Sequence, residues 1–323
     1  MAMGKSQKAL APLLKKLNLG ELLQAPVPVG GGLSHEVWRL VTTSGAYALK
    51  RLSAKTMEAH RPLEAIIQGE VIAEYFAKYN IPAHCALKYQ GAAIFNWQGD
   101  RVLLTPWINN TVSAVKPMHA KVVGQVLASM HQLNCQIVAM DYLAKPTARP
   151  IDWSRLLLTL PKEISQKITA LLPMMEQVRL ACLAEPLAAD IISHNDMNPT
   201  NILWPQRDTL RVIDWEAAGK VNKNANILST AVDWALLLSP EPNWSMFAAV
   251  LVGYQSKLAL PVWQERAWLQ VLLQWVSWLW HQVVNTVSLN NAYQGLINSV
   301  KVLEQLQSNR LLFERAYSNL VSV

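Results

Sequence analysis

The sequence predicts an α+β protein with a small β-rich lobe followed by a larger, mostly helical lobe. Between about Pro26 and Thr105, short extended runs alternate with turn signals such as Ser44-Gly45. From Asn226 onward, apolar residues recur at the spacing of helices. A basic segment with helical character precedes both lobes. The expected divisions are 1–25 for the basic helical segment, 26–106 for the β-rich lobe and 107–323 for the helical lobe.

Local signals predict three elements in the β-rich lobe. The runs "HEVWRLVTT" and "AYALKRL" flank Ser44-Gly45, which indicates a hairpin. The stretch "LEAIIQGEVIAEYFAKYN" has the apolar period of a helix and is stopped by Asn80 and Pro82. A second hairpin is expected in "AAIFNWQGDRVLLTPWI", with its turn at Gln98-Gly99-Asp100. Residues 106–110 then form a short hinge.

The helical lobe interrupts its helices with two short strand-like segments. "HAKVVGQVLASMHQLN" is expected to be a helix, and the helices after Asn226 are broken by "SPEPNW" and "LALP". Between these blocks lie "SHNDMNPTNILW" and "VIDWE", where acids and amides stand at the ends of apolar runs. Such residues are poor packing material, so we expect them to carry chemistry.

Composition excludes several classes of protein. Of the 323 residues, 51% are apolar and 16% are charged, which excludes extended disorder. The formal charge of +7 suits an anionic ligand such as ATP. The basic helix "KALAPLLKKLNL" is expected to be a solvated face and not a membrane or nucleic-acid site. The tryptophans stand among apolar residues, which is not the pattern of a single-strand binding groove.

The expected location is the cytoplasm. Cys85, Cys135 and Cys182 are about fifty residues apart and form no C-x-x-C pair, so they indicate neither a zinc ribbon nor a disulfide framework. The N-terminus shows no apolar core of a signal peptide, and no apolar run reaches the roughly 18 residues of a membrane span. We therefore expect no integral membrane segment and no nucleic-acid partner; the oligomeric state stays open.

The first chemical motif is H-x-D-x-x-x-x-N, formed by His194, Asp196 and Asn201. Phosphoryl transfer needs an acid that orients or accepts the proton of the substrate hydroxyl and an amide oxygen on Mg²⁺. A loop of Asx-turns is the alternative. Asp214, at the end of "VID", adds a second acid that could hold the metal, although an acid in this place is also a common helix N-cap.

Two further signals point to phosphate. Gly30 to Gly32 stand before a strand, where glycine lets backbone amides approach phosphate oxygens, but a plain turn is the commoner use. Lys50 ends the next strand, within possible reach of the phosphates. An acid on the following helix would hold this lysine, and the residues alone leave four candidates: Glu58, Glu64, Glu70 and Glu74.

In this order, the motifs resemble those of the aminoglycoside phosphotransferase and choline kinase superfamily, over about residues 26–285. "SHNDMNPTNILW" looks like its catalytic loop, and "VIDWE" like its metal motif. The resemblance implies a protein-kinase-like fold with ATP between two lobes and "TPWI" as the adenine-contacting hinge. "DWE" replaces D-F-G and no A-P-E follows, so the pattern is not that of a protein kinase.

The resemblance also implies roles for individual residues. Asp196 orients or deprotonates the hydroxyl, His194 braces the loop, and Asn201 and Asp214 hold Mg²⁺. The spacing in "EVIAEYFAKYNIP" is similar to that of the family and selects Glu70 as the partner of Lys50. The implied nucleotide-binding residues are Lys50, Glu70, Gly31, Gly32, Ser34, Pro106, Trp107 and Ile108.

The acceptor is expected to be a cationic alcohol, most like choline or ethanolamine. Trp275 and Trp278 share a helix face, where they could pack in a core or wall an ammonium site. W-x-x-W-x-x-x-Q looks like the late helix of choline and ethanolamine kinases. The implied acceptor residues are Glu216, Asp233, Trp275, Trp278 and Gln282.

Three departures from the family pattern leave alternatives open. Asn226 stands in place of an aspartate, Asp233 in place of a glutamate and Ala217 in place of an aromatic residue. Thiamine is therefore another candidate acceptor. An aminoglycoside is less favoured, since only five acids follow Glu216. The alternative from another class is a non-catalytic nucleotide-binding pseudokinase.

Overall fold

The chain divides into two compact units that do not follow its linear order. The computed structural model describes residues 3–30, 35–52, 62–133, 151–286 and 293–321. Unit 1 comprises Met1–Ser113 and Ile202–Ala218, and unit 2 comprises Ala114–Asn201 and Gly219–Val323. Unit 1 therefore combines the N-terminal third of the chain with a short segment from the later sequence.

Unit 1 is built on a five-stranded antiparallel sheet in the order β1-β2-β3-β5-β4. Both predicted hairpins, β2–β3 and β4–β5, are present. The turn of the second hairpin places Gln98 at φ 54° and Gly99 at φ 88°, as the two-residue turns that match strand twist require. The strands are β1 Val27–Val29, β2 Glu36–Thr42, β3 Gly45–Leu52, β4 Ile94–Trp97 and β5 Asp100–Pro106.

Two helices accompany the sheet. The predicted basic helix is present as α1, Met3–Lys16. Its leucines Leu10, Leu13 and Leu14 pack in one apolar cluster with residues of the sheet. Lys16 places its ammonium 4.8 Å from the centre of the Tyr89 ring, a cation–π contact. The second helix is α2, Leu63–Lys78, which confirms the predicted helix before Asn80.

The segment that returns to unit 1 is a hairpin followed by a short turn. Strands β7, Ile202–Gln206, and β8, Thr209–Val212, pair antiparallel. Residues 82–84 pair in parallel with Val212. The following 3₁₀ turn, Trp215–Ala217, packs so closely on α2 that a Cβ at Gly69 would lie 2.2 Å from the carbonyl oxygen of Trp215. The hairpin therefore has defined neighbours within unit 1.

Unit 2 is mainly helical, as expected. Its small sheet pairs β6, Ile191–Ser193, with β9, Gly219–Val221. Helices α3, Pro117–Gln132, and α7, Trp244–Gln255, cross at glycines: a Cβ at Gly124 would lie 2.0 Å from the carbonyl oxygen of Val250. The helices are α3 Pro117–Gln132, α4 Trp153–Leu157, α5 Lys162–Ala184, α6 Lys223–Leu236, α7 Trp244–Gln255, α8 Glu265–Thr286, α9 Tyr293–Ser308 and α10 Arg310–Val321.

The predicted α+β class is confirmed. Within the described ranges, none of the helices has both the length and the apolar character needed to cross a membrane.

Candidate functional site

Lys50 lies near the end of β3, and the strand register decides what it faces. Val37 lies directly opposite Lys50 in the β2–β3 pair. Opposite residues share a face of the sheet, and so do residues two apart along one strand. His35 directly precedes β2 and, like Lys50, contacts Glu216. Arg51 belongs to the other face, where it pairs with Glu36 and Asp100.

Lys50 is clamped by two carboxylates of the "DWE" motif. Its Nζ lies 2.8 Å from Oδ1 of Asp214 and 2.5 Å from Oε1 of Glu216. Burial alone would lower the pKa of Lys50, but the two carboxylates outweigh it and raise that pKa above its ordinary value. Lys50 is therefore charged throughout the physiological range. Among the described residues, its ion-pair partners are these two acids.

Glu216 is the most constrained acid of this group. Its Oε2 lies 3.0 Å from Nε2 of His35, and its Oε1 faces Lys50. Burial would raise the pKa of Glu216, but Lys50 and the hydrogen bond from His35 hold it well below its ordinary value. Sequence reasoning gave Glu216 to the acceptor; in the structure both of its oxygens face residues of unit 1.

Glu70 lies on the buried face of α2, where its Oε2 accepts a 2.9 Å hydrogen bond from the backbone N–H of Ala86. Burial raises the pKa of Glu70 to about 7, although that hydrogen bond and the charge of Lys50 oppose the rise. The sequence prediction paired Glu70 with Lys50. The direct contacts of Lys50 are instead with Asp214 and Glu216.

The predicted hinge follows directly from β5. The carbonyl oxygen of Pro106 lies 2.8 Å from Nε2 of His84, and the N–H of Trp107 donates to the carbonyl of Ala46 at 2.8 Å. In the described part of the chain, nothing bonds to the backbone of Ile108. Its amide and carbonyl are thus available to a ligand. The predicted phosphate-binding residues Gly31, Gly32 and Ser34 lie outside the described residues.

In unit 2, the H-x-D-x-x-x-x-N loop begins at the end of β6. His194 is fully buried, and its Nδ1 accepts a 3.2 Å hydrogen bond from the backbone N–H of Asp196. Asn195, between them, adopts φ 65° and donates its side-chain amide to the carbonyl of Gly219 at 3.3 Å. Asparagine tolerates this left-handed conformation better than most residues. The loop is therefore tied to β9 and is not a free turn.

Asp196 and Asn201 form a hydrogen-bonded pair. Nδ2 of Asn201 donates to Oδ2 of Asp196 at 2.9 Å and to its backbone carbonyl at 3.0 Å. Nδ2 of Asn198 donates to Oδ1 of Asp196 at 2.7 Å. Both carboxylate oxygens are oriented by amides, and the amide nitrogen of Asn201 is used in the process. The oxygen of Asn201 is the atom left for a cation.

Near this loop, α6 contributes a second acid, the half-buried Asp233. Burial raises the pKa of Asp233 well above its ordinary value, the negative charge of Asp196 raises it further, and a hydrogen bond from Trp275 opposes the rise. The structure thus brings Asp196, Asp233 and Trp275 into one electrostatic neighbourhood. The next residue, Trp234, donates its indole N–H to the carbonyl of Met197 at 2.9 Å, which ties α6 to the loop.

The remaining predicted acceptor residues lie further along α8. Trp278 is half-buried and stacks on His281, with ring centres 5.0 Å apart and planes inclined by 22°. Gln282 is buried. No contact of Trp278 or Gln282 with Asp196 or Asp233 is observed among the described residues. Their place in an acceptor site stays a prediction.

Sequence reasoning missed two histidines that touch the site residues. His35 contacts Glu216 at 3.0 Å. In the sequence, His35 lies three residues after the glycines Gly30 to Gly32, which was the available signal. His131 on α3 lies 3.0 Å from Oδ1 of Asn226 and 3.0 Å from the hydroxyl of Tyr254. A histidine inside an apolar helical period is the only signal that the sequence offered for the second. Nothing in the sequence indicated that His35 contacts Glu216 or that His131 contacts Asn226.

Asp214 in unit 1 and Asn201 in unit 2 each present an oxygen of the kind that hard cations prefer. Asp214 is partly exposed and shares one oxygen with Lys50, and Asn201 offers an amide oxygen. Mg²⁺ prefers oxygen ligands and keeps several waters, so it needs few protein ligands. The described residues contain no group of three or more acidic, histidine or cysteine side chains arranged for a metal.

Comparison with solved structures defines the class of protein first: the fold is kinase-like and occurs in small-molecule phosphotransferases. A spectinomycin phosphotransferase in complex with ADP and spectinomycin has 13% identity and a TM-score of 0.62, over 96% of this chain and 98% of that chain. The choline kinase LicA from Streptococcus pneumoniae has 15% identity and a TM-score of 0.57, over 91% and 98%. An ethanolamine kinase from Plasmodium vivax has 13% identity and a TM-score of 0.54, over 90% and 83%.

Sequence comparison then gives the family. Residues 26–220 match the APH family, described as the phosphotransferase enzyme family, and this match spans more than half of the chain. The chain belongs to that family. No curated protein sequence matches it. The predicted resemblance to the aminoglycoside phosphotransferase and choline kinase superfamily is confirmed.

Proposed function

We propose that this chain is an ATP- and Mg²⁺-dependent kinase that transfers the γ-phosphate to the hydroxyl of a cationic alcohol of the choline or ethanolamine type. The observation that carries the proposal is the pair formed by Asp196 and Asn201. The amide of Asn201 holds the carboxylate of Asp196 at 2.9 Å. One residue is thereby oriented to receive a hydroxyl proton, and the other presents an oxygen to a metal.

The groups of unit 1 supply the positive charge and the second metal ligand. Lys50 is held charged and in place for phosphate oxygens, and Asp214 offers an exposed carboxylate oxygen to Mg²⁺. Bound Mg²⁺ would neutralise charge on the nucleotide phosphates. Such transfer needs little covalent chemistry from the protein, so the contribution of the chain is mainly to position groups and to balance charge.

The nucleotide base is assigned to the hinge. The backbone of Pro106 and Trp107 is already used by His84 and Ala46, whereas Ile108 keeps a donor and an acceptor. These are the groups that an adenine edge can pair with. Gly31, Gly32 and Ser34 remain the proposed contacts to the phosphates. A spectinomycin phosphotransferase of similar fold binds ADP, which supports nucleotide use.

The acceptor's positive charge is assigned to the neighbourhood of Asp233. A half-buried carboxylate close to another acid is unfavourable unless a cation joins it, and a quaternary or primary ammonium supplies that charge. Trp275, which already bonds Asp233, adds an aromatic face, and cation–π attraction contributes about 0.5–2 kcal/mol per ring. Trp278 and Gln282 extend this proposed site along α8. Both oxygens of Glu216 contact residues of unit 1, so Glu216 has the least support among the acceptor residues predicted from the sequence.

The test is ADP release with ATP and Mg²⁺ across choline, ethanolamine, thiamine, 5-methylthioribose and an aminoglycoside. We expect saturable turnover with choline or ethanolamine. Asp196→Ala should lower kcat by about 10²–10⁴-fold, the usual contribution of a positioned acid or base. Asp208→Ala, in the exposed turn between β7 and β8, is the matched control and should leave kcat unchanged.

Three results would contradict the proposal or a part of it. Turnover with thiamine or the aminoglycoside alone would keep the kinase and reject the acceptor assignment. Nucleotide binding without turnover on any acceptor would favour the non-catalytic nucleotide-binding protein. Asp196→Ala with an unchanged kcat would contradict the role assigned to Asp196.

A further inference from the structure

A buried histidine, His35, shares the carboxylate of Glu216 with Lys50. His35 is only 7% exposed, and it directly precedes β2, whose Val37 lies opposite Lys50. Its Nε2 lies 3.0 Å from Oε2 of Glu216. A carboxylate can only accept, so the imidazole donates in this contact.

Glu216 connects this histidine to the lysine. One carboxylate oxygen faces His35 and the other lies 2.5 Å from Nζ of Lys50. The backbone around Glu216 is held as well, because the preceding residue, Trp215, is buried and packs against Gly69 of α2. Glu216 therefore has little freedom to rotate away from Lys50.

Glu70 does not fill this role in the structure. Its carboxylate is engaged by the backbone of Ala86 at 2.9 Å, and it forms no ion pair with Lys50 among the described residues. Asp214 does touch Lys50, but Asp214 is also the proposed metal ligand. Glu216 is the one observed partner of Lys50 that has no other proposed task in nucleotide binding.

We propose that His35 is a positioning residue for phosphoryl transfer: it fixes Glu216, and Glu216 in turn fixes Lys50 for the nucleotide phosphates. The inference rests on the proposed function, since it assumes that Lys50 binds phosphate. It moves Glu216 from the acceptor site to the nucleotide site. It also gives the residue that follows the glycine turn a direct effect on the phosphate-binding lysine.

The chain offers a matched set of variants. His35→Leu removes the donor but keeps an apolar side chain of similar bulk, whereas His35→Gln keeps an N–H donor at similar reach. Glu36→Gln changes the neighbouring residue, which is exposed and pairs with Arg51 on the opposite face of the sheet. Glu216→Gln keeps the shape of Glu216 and removes its charge.

The experiment measures binding of a fluorescent ADP analogue with Mg²⁺ and without any acceptor, so that neither turnover nor the identity of the acceptor enters. We expect His35→Leu to raise Kd about tenfold, which is the lower range for losing a hydrogen bond to a charged group. His35→Gln should restore Kd to within about threefold of the parent. Glu36→Gln should match the parent.

Glu216→Gln separates the two roles considered for Glu216. If it positions Lys50, this variant weakens ADP binding and leaves the KM of the acceptor unchanged. If Glu216 binds the acceptor, the variant raises the KM of the acceptor and leaves ADP binding unchanged, and the inference is overturned. Thermal unfolding identifies any variant that fails to fold, and where His35→Leu does so, His35→Gln and Glu216→Gln still decide.

The failures are distinguishable. A parent protein that binds no ADP overturns the proposed function itself. A parent that binds ADP while His35→Leu binds it equally well overturns only the role of His35. Equal weakening by His35→Leu and His35→Gln overturns it too, because the hydrogen bond would then not be the cause.

Discussion

Two residues of the catalytic motifs hold a backbone conformation that most side chains avoid. Asn195 has φ 65° and Asp214 has φ 62°. Asparagine and aspartate enter this left-handed region more readily than other non-glycine residues, and strained conformations of this kind cluster at functional sites. The residue types in "HNDMNPTN" and "VIDWE" thus serve backbone geometry as well as chemistry. The Asx-turn interpretation and the catalytic interpretation of this loop are compatible.

The half-buried acid Asp233 predicts how acceptor affinity varies with pH. Burial and Asp196 raise its pKa, so the empty site favours the protonated form. A cationic acceptor favours the ionised form, and its KM should therefore fall as pH rises through this pKa. Choline is the right probe, because its own charge does not titrate. Asp233→Asn should raise the KM of choline and remove its pH dependence, while the nucleotide's KM serves as the control. Parallel pH profiles of choline KM in parent and variant would contradict the assignment.

The neighbouring His131 explains why an asparagine suits position 226, where the sequence analysis expected an aspartate. Burial lowers the pKa of His131 from 6.5 to about 4, although the hydrogen bond with Asn226 opposes the shift. A neutral histidine is matched by the neutral amide of Asn226, whose Oδ1 accepts from Nε2. An aspartate in that place would favour the charged form of His131 instead.

His131 should make the free energy of unfolding depend on pH. Its pKa is lower in the folded state, so the unfolded chain takes up the proton first. Stability is then lost as pH falls from about 6.5 to about 4, by up to about 3 kcal/mol. Glu70, with its pKa raised to about 7, acts in the opposite direction, so the difference between parent and variant is the diagnostic quantity. His131→Gln should remove this loss in urea unfolding at pH 7 and pH 4. An unchanged pH dependence would show that His131 titrates normally.

At the scale of elements, turn residues and apolar periodicity in the sequence correctly predicted the hairpins and helix α2, which depend on local interactions. Both hairpins follow from turn residues, and α2 ends where Asn80 and Pro82 predicted. The partner of Lys50 could not be found in the same way. Four glutamates near α2 were candidates on spacing, whereas the observed partners come from Asp214 and Glu216, over 160 residues away in the chain. Contacts of that range depend on tertiary structure, which one sequence does not reveal.

Helix α1 is another element whose role depends on packing. Lys15 and Lys16 form an exposed basic face, as the sequence suggested, while Leu10 and Leu14 are 0% and 1% exposed in the core of unit 1. Leu14→Ala should lower the free energy of unfolding by about 2–5 kcal/mol, because it leaves a cavity in a packed core. Leu23→Ala, at a residue that is 64% exposed, should change it by less than about 0.5 kcal/mol. Equal effects in denaturant unfolding would show that α1 does not stabilise unit 1.

At the scale of the whole molecule, the chain order hides which residues belong together. Sequence reasoning divided the chain after residues 25 and 106, and it assigned everything after residue 106 to the helical lobe. The structure returns residues 202–218 to unit 1, where β8 pairs with residues 82–84. As a result, Asp214 shares a unit with Lys50, while Asp196 and Asn201 belong to the other unit. The residues to which we assign phosphoryl transfer are therefore divided between the two units.

The charge arrangement predicts how nucleotide and Mg²⁺ should stabilise the protein together. Without metal, Asp214 is paired with Lys50, and its charge opposes the approach of a phosphate. Mg²⁺ would neutralise that charge and free Lys50 for the nucleotide. At about 100 times Kd, a non-hydrolysable ATP analogue with Mg²⁺ should add about 2.7 kcal/mol to the stability of the parent. With EDTA in place of Mg²⁺, we expect a much smaller rise in Tm at the same analogue concentration.

Asp214→Asn should reverse this dependence on metal. The variant loses the negative charge of the carboxylate that would bind Mg²⁺. It also releases Lys50 from one of its two acidic partners. Its Tm should therefore rise by similar amounts in Mg²⁺ and in EDTA, when each rise is measured against the variant without nucleotide. Asp208→Asn, in the exposed turn between β7 and β8, is the control and should keep the parent's dependence on Mg²⁺. A parent protein whose Tm rises equally in Mg²⁺ and in EDTA would contradict a metal-binding role for Asp214.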